Sequence, residues 1–163
     1  MYDTPLTIEQ LLARLAAGPA RIAELTAGLS PAQLRTVPSH DAWSAVDVLA
    51  HLRSCADVWG GCIATILAED HPTFRAVNPT TWIKQTDYPS LAFRPSFDAY
   101  AAQRAELLAV LEPLPPEAWS RGARVTGAGR TLERTVFSYA QWLANHERSH
   151  FRQIGRIADA LRA

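Results

Sequence analysis

LERTVFSYAQWLANHERSHFRQIGRIADAL, residues 132–161, decides how this chain folds. Its apolar positions are Leu132, Val136, Tyr139, Leu143, Ile154, Ile157 and Leu161, and His146 and His150 fall between them. The steps along that series are 4, 3, 4, 3, 4, 4, 3 and 4, the buried stripe of one long amphipathic helix. Two consecutive places on the stripe are therefore imidazoles. His51 repeats the pattern earlier in the chain, between Val48 and Cys55 on a stripe that continues through Trp59 and Ile66. Burying a polar group without a partner costs a few kcal/mol, so three inward histidines need something to bind. One divalent metal ion would satisfy all three.

Three further helices are legible on either side. The first begins at Thr7, whose spacing to Gln10 fits a capping box, and carries Ile8, Leu11, Leu12, Leu15, Ile22 and Leu25, with Gly18-Pro19 expected to kink it. Ser30-Pro31-Ala32-Gln33 starts a short helical turn, with Ser at the cap and Pro in the first turn. The second long helix opens at Ser44, with Asp47 in the reciprocal capping place, and runs to about Glu69; the third spans about Phe97 to Leu111, where Pro113, Pro115 and Pro116 end it. The histidine-rich fourth is expected to start near Thr131, after the Gly-containing stretch from Gly122 to Gly129. No alternating strand pattern of useful length stands out. The expectation is an all-α four-helix bundle, one domain over residues 1–163. Leu29-Ser30-Pro31-Ala32-Gln33-Leu34 is faintly echoed by Leu114-Pro115-Pro116-Glu117-Ala118-Trp119, each followed by a loop, a capping hydroxyl (Ser44, Thr131) and a histidine-bearing helix.

The bulk composition narrows the function classes. Apolar residues make up 48% and charged residues 20%, ordinary for a globular protein. Sixteen basic residues balance sixteen acidic ones, so charge argues for neither nucleic acid nor an acidic membrane as partner. No stretch approaches the roughly 20 apolar residues that span a bilayer, and the first residues have neither the basic region nor the apolar run of a signal peptide. The expectation is a cytoplasmic protein. Cys55 and Cys62 lie seven residues apart in one helix, roughly 10 Å along its axis, too far to bridge. They read most simply as small buried residues.

His146 and His150, four apart, lie on one helical face about one turn apart, so two ring nitrogens can reach one ion at the roughly 2.0–2.1 Å of Zn–N bonding. His51, on another helix facing the interior, would complete a set of three and leave a position free for water or substrate, as in catalytic zinc sites. The alternative is three core histidines satisfied by hydrogen bonds. His146-Glu147-Arg148-Ser149-His150 also spells HExxH, the zincin motif in which Glu is general base. Only thirteen residues follow His150 and the sheet that zincins use is missing, so Glu147 reads better as a solvated carboxylate paired with an Arg. Cys55, one turn beyond His51, is a further ligand candidate that would close the site. Arg152 and Gln153 either orient a ligand or cover surface, and His40 and His71 read as solvent-facing. The Pro-rich segment from His71 to Ser96 is long for a bundle connection. It is expected either to double back as one wall of the pocket, lined by Phe74, Trp82, Tyr88 and Phe93, or to cap the core with those rings.

Two segments resemble the DinB/YfiT-like family of metalloenzymes. One is Pro38-Ser39-His40-Asp41-Ala42-Trp43-Ser44-Ala45-Val46-Asp47-Val48-Leu49-Ala50-His51-Leu52, similar to the family's Trp-Ser followed by an acidic residue and a His-Leu pair; Asp47 stands where Glu is more usual. The other is His146-Glu147-Arg148-Ser149-His150-Phe151-Arg152-Gln153-Ile154, similar to its paired His ending in Gln-Ile. The resemblance covers nearly the whole chain. It implies a four-helix bundle of the DinB/YfiT-like type, often a homodimer, with His51, His146 and His150 as ligands to a divalent transition metal, zinc or nickel; availability puts zinc ahead of nickel. It also implies a small-molecule substrate. Some members resemble S-transferases that use a low-molecular-weight thiol in detoxification and others are called hydrolases, while a non-catalytic metal-binding stress protein is a third reading.

Overall fold

The computed structural model describes residues 4–39 and 41–163. His40 of the first motif lies outside the described residues. Four long helices form the bundle: α1 (Ile8–Thr26), α3 (Ala45–Ala68), α5 (Phe93–Leu111) and α7 (Val136–Arg162). α1 and α3 each pack on both α5 and α7. Short helices α2 (Pro31–Arg35), α4 (Pro79–Trp82) and α6 (Pro116–Trp119) lie in the connections, with one-turn 3-10 helices at Ile83–Gln85 and Tyr88–Ser90.

The helix starts follow local chemistry. Thr7 with Gln10, Ser30 with Gln33, Ser44 with Asp47 and Thr135 with Ser138 each form a reciprocal cap in which both residues satisfy a backbone N–H of the first turn. α5 starts one turn before the expected Phe97, at Phe93. Pro95 is no obstacle there, because N–H groups of the first turn have no intrahelical partner to lose. α1 runs unbroken through Gly18-Pro19. Pro19 has no N–H to offer the Leu15 carbonyl one turn back, and the Arg104 guanidinium donates to that carbonyl instead at 2.9 Å. Gly18 leaves room for it: a Cβ there would sit 3.0 Å from Arg104 Nη1.

The expectation of no strands is corrected. Strands β1 (Thr73–Arg75), β2 (Gly122–Ala128) and β3 (Arg130–Thr135) form a sheet in that order, β1–β2 parallel and β2–β3 antiparallel. Leu132 therefore pairs with Val125 in the hairpin rather than opening the histidine helix, whose cap is Thr135 and not Thr131. The hairpin turns at Gly127 and Gly129, whose φ values of +83° and +86° favour glycine. Only Ala123 and Val125 of β2 are buried, too short an alternation to register as a strand pattern. The base of the sheet is tied to the bundle by Arg121, which donates to the Leu67 and Glu69 carbonyls at the end of α3.

The core is divided along the bundle axis. One apolar cluster gathers Leu11, Leu15, Trp59, Ile63, Leu111 and Leu143; a second gathers Ile22, Val48, Leu49, Leu52, Ile154 and Ile157, and a small third holds Leu34, Ala45 and Val46. Along α7, residues 146–150 fall between Leu143 of the first cluster and Ile154 of the second. This waist is where α7 turns polar on two sides at once. Among the described residues no helix is long and apolar enough to cross a membrane.

Candidate metal centre

On one side of the waist the three predicted histidines come together. His51 Nε2 is 3.3 Å from His146 Nε2, which is 3.1 Å from His150 Nε2. The ring centroids of His51 and His150 are 4.7 Å apart. Two nitrogens bound tetrahedrally at 2.0–2.1 Å to one ion stand about 3.3 Å apart, so the His51–His146 and His146–His150 spacings are each those of two donors on one ion. Cys55 Sγ is 3.6 Å from His51 Nε2, and the ligand atoms of His51, Cys55 and His146 all lie within 4.8 Å of one another. The sequence stripe identified the imidazoles. The thiol is drawn into the same cluster by the helical turn that separates it from His51.

Electrostatics leave His51 and His146 neutral. Burial, then the neighbouring His150, pushes His51 down to about 4. Burial, then His150 and His51, pushes His146 to about 4. Both rings therefore keep a free nitrogen lone pair at neutral pH, the form that ligates metals. With no ion present, burial and then Glu147 push the Cys55 thiol up to about 12. His146 Nδ1 is buried without a hydrogen-bond partner.

His150 is oriented from outside the cluster. Its Nδ1–H donates to Gln153 Oε1 at 2.8 Å, and the Gln153 amide donates in turn to Asp41 Oδ1 at 3.2 Å. Asp41 Oδ1 also accepts from the Trp43 N–H at 3.0 Å. The carboxylate can only accept, so it turns the amide nitrogen of Gln153 toward itself and the amide oxygen toward His150. That arrangement holds the proton on Nδ1 and directs the Nε2 lone pair into the cluster. Gln153 thus orients the imidazole rather than covering surface. Asp41 was not singled out in the sequence, because its partner lies 112 residues away.

Tryptophans enclose the imidazoles. Trp43 stacks on His150 (6.2 Å between centroids, 8° between planes) and meets His51 edge-on, and Trp59 meets His146 edge-on at 5.1 Å. A cavity of about 500 Å³ opens on His51, Cys55 and His146, walled by Trp59 and Trp142 stacked at 4.7 Å, by residues 76–80 and by Gly127-Ala128 of the hairpin. The Pro-rich segment does double back: Ser54 Oγ on α3 donates to the Pro79 carbonyl at 2.7 Å, and Ala76 N–H to Thr126 at 2.7 Å. Its aromatics are not the lining. The Trp82 indole and Tyr88 hydroxyl donate to Asp57 at 3.1 and 2.6 Å, while Phe74 and Phe93 pack on the core. Rings this large are held where their polar atoms find a carboxylate, leaving the small residues of 76–80 to face the cavity.

Glu147 is likewise corrected: it pairs with an arginine, but it is buried rather than solvated. About 100° around α7 from His146, it accepts from both Arg104 terminal nitrogens and from the Tyr100 hydroxyl, and only 2% of it is exposed. It faces the opposite side of the waist and does not line the cavity. His71 is exposed and hydrogen-bonded to Glu133 at 3.0 Å.

Residues 14–154 match the family model described as the DinB superfamily. The chain belongs to the DinB superfamily. Among solved structures it is similar to YfiT from Bacillus subtilis, described as "a probable metal-dependent hydrolase with an unusual four-helix bundle topology", with a TM-score of 0.74 and 18% identity over 98% of this chain and 91% of that one. At that identity the likeness is one of fold. No curated protein matches this DinB-superfamily chain by sequence.

Proposed function

We propose that this DinB-superfamily protein is a metal-dependent enzyme acting on a small molecule, with His51, His146 and His150 as ligands to a divalent transition ion, zinc ahead of nickel. The observation that carries the reading is the convergence of three imidazoles, two of which, His51 and His146, stand on the wall of a cavity of about 500 Å³. A structural ion has no need of an adjoining cavity. When bound, the ion would supply Lewis acidity, lowering the pKa of a thiol or a water in the cavity. The chain's own residues hold and orient: Gln153 and Asp41 set the His150 tautomer, and Trp43 and Trp59 shield the imidazoles from bulk water. Trp59, Trp142, Val77 and Pro79 offer apolar contact to a substrate.

Within that class the reading is an S-transferase joining a low-molecular-weight thiol to an electrophile. No carboxylate lines this cavity among the described residues; Glu147 is held in the Arg104 pair, and Asp47, which lines an adjoining cavity at His51, is engaged in the cap at Ser44. Hydrolysis is the second reading, favoured by the description of YfiT. The proposed setting is cytoplasmic and the proposed assembly a homodimer.

Protein purified without a nickel column should carry near-stoichiometric metal, and the His146→Ala, His150→Ala double variant should lose it. Wild-type metal content in that variant would overturn the ligand assignment. Conjugation assays with low-molecular-weight thiols and a panel of electrophiles should give thiol-dependent turnover. Thiol-independent cleavage of esters or amides would replace the transferase reading with the hydrolase.

A further inference from the structure

Cys55 stands one turn beyond His51 on α3, the spacing by which His146 and His150 meet on α7. Its side chain is 1% exposed, yet it is not surrounded only by hydrocarbon, because its sulfur lies 3.6 Å from His51 Nε2. Tetrahedral bonds of 2.0–2.1 Å to nitrogen and 2.3 Å to sulfur on one ion place the two donors about 3.6 Å apart. The observed separation matches that figure, just as the 3.3 Å between His51 and His146 nitrogens matches two imidazoles on one ion. His51, Cys55 and His146 are moreover the group whose ligand atoms all lie within 4.8 Å of one another.

We propose that Cys55 is a thiolate ligand, so that the centre is a three-imidazole, one-sulfur site for a thiophilic ion. The proposal rests on the histidine reading given above and adds a donor that neither the family match nor the likeness to YfiT assigns. On binding, the metal–sulfur bond forms as the S–H bond breaks, and the proton leaves to solvent. The thiolate cancels one of the ion's two charges and takes the position that three histidines alone would leave to water, so a substrate would reach the ion as a fifth donor or by displacing the sulfur. A sulfur donor shifts preference toward zinc, cobalt(II) and cadmium and away from magnesium and manganese, which favour oxygen. Cys55 also lines the cavity together with His51 and His146, whereas His150 does not. The sulfur therefore lies on the cavity-facing side of the site, where a substrate would approach the ion. Cys62, two turns along α3, is engaged with Tyr139 instead and takes no part.

The test is the absorption spectrum of the full-length protein, stripped with a chelator and reloaded anaerobically with cobalt(II). Wild type and Cys62→Ser should both show visible ligand-field bands together with an intense near-ultraviolet sulfur-to-cobalt charge-transfer band. Cys55→Ser should keep the ligand-field bands and lose the charge-transfer band entirely. X-ray absorption of the zinc-loaded wild type, which needs no variant to fold, should show one sulfur at about 2.3 Å. Cobalt uptake by wild type with ligand-field bands alone, or zinc with nitrogen and oxygen neighbours alone, would overturn the Cys55 assignment and leave the histidine site standing. A charge-transfer band that survives in Cys55→Ser would also overturn it. Failure of wild type to take up cobalt at all would overturn both.

Discussion

Replacing Glu147 with Leu should destabilise the protein by about 3–5 kcal/mol, the range for breaking a buried ion pair from one side. The structure says why the upper part of that range applies. Arg104 and Glu147 are each 2% exposed, and the carboxylate accepts from two guanidinium nitrogens and the Tyr100 hydroxyl. Removing it leaves a full charge in the core with the Leu15 carbonyl and the Tyr100 hydroxyl as its remaining partners, and a buried phenol without its carboxylate acceptor. Arg104→Met alone strands the carboxylate in the same way. The Arg104→Met, Glu147→Leu double variant removes both charges and should be less damaged than either single variant. It should fall about 1–3 kcal/mol below wild type, because the Leu15 carbonyl, already deprived of a helical partner by Pro19, and the Tyr100 hydroxyl stay unsatisfied. Urea unfolding of the metal-free proteins, followed by tryptophan fluorescence and circular dichroism, measures all four corners of the cycle without added stability from a bound ion. A Glu147→Leu midpoint equal to wild type, or a double variant less stable than both singles, would refute the account. Loss of turnover without loss of stability would instead make Glu147 a member of the catalytic machinery.

Three further outcomes follow from the same geometry. Gln153→Leu removes the acceptor that holds the His150 proton on Nδ1, and should weaken zinc binding about 10–100-fold in competition with a chromophoric chelator; unchanged affinity would count against the tautomer argument. Asp57→Leu releases Trp82, Tyr88 and Gln103, and should speed amide exchange in residues 79–90 by about tenfold or more while metal content holds, so exchange at the wild-type rate would mean that another contact pins the segment. Burial, then Asp57, raises Tyr88 to about 12, and burial raises Tyr100 and Tyr139 as well. Unfolded phenols ionise near 10, so the stability these groups contribute is intact below pH 10 and is lost as pH rises from 10 toward 12 and beyond. Phenolate absorbance of the folded protein should accordingly lag that of the urea-unfolded protein, and coincident titration curves would contradict the burial of these rings.

The sequence by itself determined what depends on neighbours three or four residues apart. The starts of α1, α2 and α3 were legible because Thr7, Ser30 and Ser44 each cap a helix with a partner at the third residue on. The inward placement of His51, His146 and His150 was legible because a 3.6-residue period decides which side chains share a face. Tertiary structure decided everything that rests on partners far apart in the chain. The hairpin at residues 122–135 shows only Ala123 and Val125 to the core, and it exists as part of a sheet because β1, some 50 residues earlier, pairs with it. Glu147 sits in the same motif as two of the histidines, yet its environment was set by Arg104 and Tyr100, 43 and 47 residues away. Trp82 and Tyr88 were drawn from the cavity by Asp57 across 25 and 31 residues, and Gln153 was oriented by Asp41 across 112. A carboxylate buried in a bundle must be satisfied by whichever donors the packing brings to it, and that choice is made in space, where the periodicity of a single helix carries no information.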